Sequence, residues 1–250
     1  MNPLRRASRV AGFGALTLAY GSGFALARAA LHPGRKPVDV RNEWVKAWSN
    51  SLLDLFAIDV RMRGVVPACE NGLLVVANHR STIDIGILLR LFGGRMVSRA
   101  DVAKWPIVGP AASSVGTIFV DRENTISGMT TVRAMRRCIE ERDTLCVFPE
   151  GTTFTDDVVR PFHQGAFVAA THSGASIVPV ALAYGGAASF VNETFTEHLM
   201  RMASAERTTV GIAIGTPFKC DARAAELTRR AHSQVSDLVQ IARSLAEAKR

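Results

Sequence analysis

Cysteine is scarce in this 250-residue chain, and the four that occur, Cys69, Cys138, Cys146 and Cys220, show no C-x-x-C spacing. No zinc site and no disulfide framework are suggested; a reducing compartment fits best, with free thiols serving as small core residues. Aromatic residues make up only 7% of the chain and prolines number ten, whereas alanine is frequent. That balance argues against a disordered chain, a collagen-like chain and a many-bladed β protein. Three catalytic signatures are missing as well: no G-x-S-x-G, no G-x-x-x-x-G-K-[ST] and no H-E-x-x-H occurs. Serine hydrolase, P-loop nucleotide hydrolase and zinc protease readings each lose their usual anchor. His32, His163, His172, His198 and His232 have no ligand spacing with cysteine or carboxylate, so no metal is expected.

What is present is a largely hydrophobic chain, 48% by composition, with a formal net charge of +8. Its length suffices for one sizeable packed domain, or one domain with an appendage. The charge points to an anionic partner: a membrane surface, a phosphorylated substrate, an acyl-carrier protein or nucleic acid. Nucleic acid is not expected, because the positive charges are dispersed and neither a binding motif nor an aromatic stacking cluster accompanies them.

Between Arg9 and Arg28 run eighteen uncharged residues, interrupted by Gly12, Gly14, Gly21 and Gly23. A membrane anchor or interfacial helix is the first reading, since about 20 residues span a bilayer and basic residues flank both ends. A secretory signal peptide, with "ALA" at Ala25 to Ala27, and a helix packed on the domain fit the same residues. After "HPGRKP", Trp44, Trp48, Leu52, Leu55 and Phe56 recur at helical spacing. This second helix either covers the core or brings its tryptophans to lipid headgroups.

From Gly72 onward β-like runs alternate with helical stretches: "GLLVVAN", "GRMVSRA", "GTIFVDR", "TLCVFPE", "SIVPVALAY" and "TTVGIAIGT". Such alternation predicts an α/β fold with a largely parallel central sheet flanked by helices. Between the third and fourth runs, Met129, Val132, Met135 and Ile139 form a stripe suited to core packing, with Arg133, Arg136 and Arg137 facing elsewhere. Ala222 to Arg250 reads as a charged, alanine-rich helix without evident chemistry.

Sites in parallel sheets form where strands end and helices begin, which draws attention to "LLVVANHRSTIDIG". Residues five apart on one helix do not face each other. His79 and Asp84 meet only if His79 occupies the turn after the strand while Asp84 occupies the first helical turn, where the helix dipole favours an acid. An aspartate so placed fixes the histidine tautomer and makes it a general base for a hydroxyl. By itself the spacing is also compatible with a capping aspartate and a polar turn histidine. Two further strand ends carry Arg122, whose guanidinium suits a phosphate, and Glu150-Gly151-Thr152-Thr153, where small residues let the backbone approach a ligand.

Taken in order, "NHRSTID", "GTIFVDR", "FPEGT" and "IVPVAL" resemble the glycerolipid acyltransferase family, whose best-known members are 1-acylglycerol-3-phosphate acyltransferases. The resemblance covers roughly Gly72 to Tyr184, and Lys104 followed by "PIVG" looks like the segment ahead of the second block. It implies that His79 is the base and Asp84 its partner, and that Arg122 binds phosphate or headgroup. It also implies substrate-binding positions at Lys104, Glu150, Gly151 and Thr152, and an acyl-binding association for Pro179. The acyl donor would be acyl-CoA or acyl-carrier protein, attacked directly by the acceptor hydroxyl without a covalent acyl-enzyme, metal or prosthetic group. The expected organisation is an N-terminal membrane-associating helical region over 1–64 and an α/β acyltransferase domain over 65–250, at the cytoplasmic face of a membrane. Two departures bear on the acceptor: Thr153 stands where many phosphatidate-forming members have arginine, and His163 where they have lysine. The leading expectation is 1-acylglycerol-3-phosphate as acceptor, in phospholipid biosynthesis, with another lysophospholipid or lyso-ornithine lipid as the alternative and a non-catalytic lipid binder behind both.

Overall fold

All six β-like runs become strands, because each is a short, branched-chain-rich segment ended by Gly, Pro, Asn or a charged residue. They are β2 (Leu73–Ala77), β3 (Arg95–Arg99), β4 (Ile118–Val120), β5 (Thr144–Val147), β6 (Ser176–Tyr184) and β7 (Thr208–Ile214). The computed structural model describes residues 3–30, 32, 34–121, 125–185 and 194–248. Two strands lacked a sequence signal: β1 (Ile58–Arg63), half polar and at the sheet edge, and the two-residue β8 (Phe218–Lys219).

The strand order is β1-β7-β6-β2-β5-β3-β4, with β8 beside β6. From β6 to β4 every pairing is parallel, whereas β7 lies antiparallel to β6 and carries β1 parallel to itself. The sheet is therefore mostly parallel, and the sheet begins inside the segment 1–64, since β1 is one of its strands. Strand β2 is buried along its whole length, as a strand covered on both faces must be. One face packs against α5 (Thr125–Glu140), α6 (Gly165–Ala170) and α8 (Ala224–Glu247). The other meets α1 (Pro3–Ala29), α2 (Pro37–Leu55), α3 (Ile83–Phe92) and α7 (Phe195–Ser204), with α4 (Val108–Ser114) nearby. Of the expected α5 stripe, Met135 and Ile139 enter the core and Met129 stays exposed. Of the four thiols, Cys69 is exposed and three are buried.

Helix α1 is, among the described residues, the one helix long and apolar enough to cross a membrane, yet one side of it is seated on the domain. Its glycines explain how. A Cβ on Gly23 would stand 2.4 Å from the Trp44 ring, and one on Gly12 would stand 3.1 Å from Leu55. Alongside, Trp48 Nε1 donates to Thr17 Oγ1 at 3.2 Å, and Tyr20 and Ser51 share a 2.8 Å hydrogen bond. The tryptophans of α2 thus face α1. Buried Arg9 donates from α1 to the carbonyls of Ala203, Ala205 and Glu206, satisfying the open C-terminal end of α7.

Candidate active site

Strand β2 stops pairing at Ala77, and the next side chain continues the ladder. Asn78, wholly buried, donates from Nδ2 to Leu182 O at 2.9 Å and accepts from Leu182 N at 2.8 Å. The amide stands in for a backbone pair while the main chain turns away. That turn delivers His79 to the sheet edge, and α3 begins four residues later with Asp84 in its first turn. His79 Nδ1 and Asp84 Oδ2 are 2.9 Å apart.

Asp84 has no solvent exposure, and both of its oxygens are occupied by donors. Oδ2 accepts from Arg80 N at 2.7 Å and Ser81 N at 2.9 Å as well as from His79, while Oδ1 accepts from the Tyr184 hydroxyl. Four donors converge on this one carboxylate and fix its position. An ionised carboxylate only accepts, so the proton on His79 sits on Nδ1 and the lone pair on Nε2. The imidazole lies flat on the Phe148 ring, centroids 3.9 Å apart and planes 6° apart, so adjacent strands β2 and β5 jointly set its orientation. It is left 16% exposed, at the wall of a cavity.

Glu150 is placed as part of the frame. Its carboxylate pairs with the buried Arg80 guanidinium at 2.8 Å and accepts from His79 N at 2.7 Å and Arg160 N at 2.8 Å. Gly151 follows at φ +86°, a conformation that costs glycine little, and its N–H closes the turn on Phe148 O at 3.1 Å. From there Gly151, Thr152 and Thr153 line the cavity beside His79. Lys104 is exposed at the end of a short 3-10 helix and is not in the cavity wall. Arg122 lies outside the described residues. His163 is exposed.

Pro179 faces the other way. In β6, Ile177 and Ala181 point to the α8 layer, and the proline between them shares that face, near Gly215 and Leu238. Its missing N–H falls where β6 exchanges neighbours, between Ile177 paired with β8 and Val180 paired with β7. Here the position acts on strand pairing, on the face away from the cavity.

The cavity measures about 1040 Å³ and runs from His79 between the sheet and the N-terminal helices. Phe13, Phe24, Trp48, Leu52, Met96 and Phe195 give its walls their apolar character. Ile107, in the "PIVG" stretch, also lines it and holds φ +64°, ψ −54°, with Val108 N on Pro106 O at 2.7 Å. That is a γ-turn at a β-branched residue, an uncommon backbone state.

The residues that sequence reasoning passed over are Asn78, Arg80, Phe148, Tyr184 and His198. Arg80 and Glu150 carried a faint signal, opposite charges each closing an apolar run. Tyr184 had one too, as one of only two tyrosines and the last residue of a buried strand. His198, buried at 1% exposure on α7, had none.

Known proteins resemble this chain in sequence and in fold. The chain is 31% identical over 240 residues to the lyso-ornithine lipid O-acyltransferase of Pseudomonas aeruginosa, covering 93% of this chain and 91% of that one. With a 1-acyl-sn-glycerol-3-phosphate acyltransferase of Neisseria gonorrhoeae it shares 26% over 193 residues, 74% of each chain. Its fold superposes on the crystal structure of the 1-acyl-sn-glycerophosphate acyltransferase PlsC from Thermotoga maritima with a TM-score of 0.72, over 96% of this chain and 97% of that one at 21% identity. The Acyltransferase family model matches residues 57–183, which include His79, Asp84 and Glu150. The chain belongs to the acyltransferase family.

Proposed function

We propose that this acyltransferase carries a fatty acyl group from a thioester, acyl-CoA or acyl-carrier protein, to the free hydroxyl of a lyso-lipid. The observation that carries this reading is His79: its Nδ1 is held by Asp84, and its ring stands at the wall of an apolar cavity. As the hydroxyl oxygen attacks the thioester carbonyl carbon, His79 Nε2 takes its proton and Asp84 stabilises the resulting imidazolium. Collapse of the tetrahedral adduct breaks the C–S bond, and the imidazolium returns the proton to the leaving thiolate. Every step uses side chains of this chain and the two substrates, without a covalent acyl-enzyme, metal or prosthetic group.

For the acceptor, a zwitterionic lyso-lipid of the lyso-ornithine type is the first reading. A neutral threonine, Thr153, lines the cavity where many phosphatidate-forming members carry arginine, and Arg99 and Asp101 form an ion pair in its wall. A cation beside an anion complements an ornithine headgroup, which carries carboxylate and ammonium together. The similarity to the Pseudomonas aeruginosa enzyme over nearly the whole chain supports it. 1-Acylglycerol-3-phosphate is the second reading, favoured by Arg122 in "GTIFVDR" and by the Neisseria relative. In either case the enzyme works at the cytoplasmic face of a membrane. Leu4, Leu18 and Leu26 are exposed along α1, with Arg5, Arg6 and Arg28 near its ends for anionic headgroups.

Thiol release from acyl-CoA and from acyl-carrier protein, measured in lipid micelles with each lyso-lipid, tests the proposal. Turnover with lyso-ornithine lipid that vanishes in His79→Ala is the expected result. Turnover confined to 1-acylglycerol-3-phosphate would move the acceptor to the second reading, and full activity of His79→Ala would overturn the mechanism.

A further inference from the structure

The hydrogen bonds around Asp84 continue beyond the His79 pair, into α7. Arg201 Nη2 lies 3.0 Å from His198 Nδ1, and His198 Nε2 lies 3.0 Å from Ser81 Oγ. The Ser81 amide in turn donates to Asp84 Oδ2 at 2.9 Å, and the Tyr184 phenol donates to Asp84 Oδ1. His198, Ser81, Tyr184 and Asp84 are each at most 2% exposed.

Donor chemistry leaves one direction for the protons along this line. A guanidinium only donates, so His198 Nδ1 accepts from Arg201 and the neutral ring carries its hydrogen on Nε2. That hydrogen goes to Ser81 Oγ, which accepts from Ile83 N at 3.3 Å as well. The Ser81 amide serves one oxygen of Asp84, and the phenol hydrogen of Tyr184 serves the other. Burial, with the Asp84 charge behind it, pushes the Tyr184 phenol well above the ordinary tyrosine range, so it remains a donor wherever the enzyme operates.

We propose that Tyr184 and His198 are positioning residues of acyl transfer: hydrogen bonds run from Arg201 through His198 to Ser81, whose amide holds Asp84 Oδ2, while the Tyr184 phenol holds Oδ1, and together they fix the carboxylate against His79 Nδ1. The proposal rests on the reading of His79 as the base. It has two consequences. Orientation is one, because these bonds tie α7 and β6 to the turn that carries the base. The other is charge: Tyr184 draws on Oδ1, so Asp84 stabilises the His79 imidazolium less than an unshared carboxylate would. Removing the phenol hydroxyl therefore leaves Oδ1 unshared, which strengthens the carboxylate's hold on the imidazolium while loosening its aim. Among the described residues, the remaining groups hydrogen-bonded to or stacked on His79 are Glu150 at its amide, Arg80 and the Phe154 amide at its carbonyl and the Phe148 ring, and the test variants change none of them.

The test is the pH profile of kcat/KM, whose acid limb reports the base in the free enzyme, for wild type, Tyr184→Phe, His198→Leu, His198→Gln and His79→Ala, with folding checked by circular dichroism. Tyr184→Phe is expected to lower kcat about tenfold, with KM little changed, and to move the acid limb upward by about half a pH unit or more. His198→Leu is expected to lower kcat as well. His198→Gln is expected to restore most of it, since its amide accepts from Arg201 and donates to Ser81. Wild-type activity in Tyr184→Phe, or lost activity with the acid limb unmoved and no rescue by glutamine, would overturn the positioning role. Turnover by His79→Ala is a separate failure, that of the base assignment, and would remove the ground for this proposal too.

Discussion

Arg80 and Glu150, both buried, form an ion pair 2.8 Å long between the turn after β2 and the turn after β5. Each group has further partners: Arg80 also donates to His79 O and Val158 O, and Glu150 accepts the amides of His79 and Arg160. The pair is thus the clamp that brings the histidine turn and the "PEGT" turn to one edge. Breaking a buried pair from one side leaves an uncompensated charge, at about 3–5 kcal/mol. Glu150→Gln is expected to lose stability on that scale, read as a lower urea midpoint, with activity falling in parallel. A midpoint unchanged from wild type, with activity alone lost, would return Glu150 to a substrate-contacting role.

The Phe148 ring fixes the plane of His79 by stacking, with centroids 3.9 Å apart. Aromatic pairs contribute about 0.5–1.5 kcal/mol beyond area burial. If that energy is spent on orientation, Phe148→Ala lowers kcat/KM by roughly two- to tenfold. Steady-state kinetics decide it, and an unchanged kcat/KM would make the stack incidental.

Glycines of α1 should differ sharply in their tolerance of a methyl group. Gly23→Ala puts a Cβ into the Trp44 ring and is expected to cost about 1–3 kcal/mol and shift tryptophan fluorescence. Nothing lies within 4 Å of the corresponding position at Gly21, so Gly21→Ala is expected to be stabilising by about 0.5–1 kcal/mol. Equal thermal midpoints for the two variants would contradict the close α1–α2 contact.

Thiol chemistry gives a pH prediction. Burial disfavours the thiolate of Cys138 and pushes its pKa up to about 12, and that of Cys220 to about 11. Burial raises Cys146 as well. Because the folded state holds these groups protonated, their contribution to stability is complete below the ordinary thiol pKa of 9.0 and is lost as pH rises toward 11 to 12. Denaturation midpoints should therefore fall above about pH 9. At pH 8 a thiol reagent should find only the exposed Cys69 in the native protein, and all four cysteines after unfolding.

Sequence alone reached what depends on local pattern. The six strands from β2 to β7 were legible because each is an apolar run with clear punctuation, and the His79–Asp84 pair followed from asking which geometry lets residues five apart meet. Strand β1 was hidden because an edge strand tolerates polar residues, and its partner β7 lies some 150 residues further along the chain. The same limit hid the rest of the site. Tyr184 and His198 matter through contacts with residues about 100 positions away, and no spacing rule in the sequence announces them. Pro179 belonged to a recognisable block, but which face of β6 it takes is decided by the alternation of its neighbours around the sheet.

The placement of α1 bears on how the enzyme is prepared for study. Shortening the chain to begin near residue 30, a natural way to seek freely soluble material, would remove Phe13, Thr17 and Phe24 from one side of the cavity. It would also uncover Trp44 and Trp48 and leave the last carbonyls of α7 without Arg9. What remained would keep His79 and Asp84 in register but hold them over an open trough, so a silent truncated enzyme would say nothing against the proposed roles of the two.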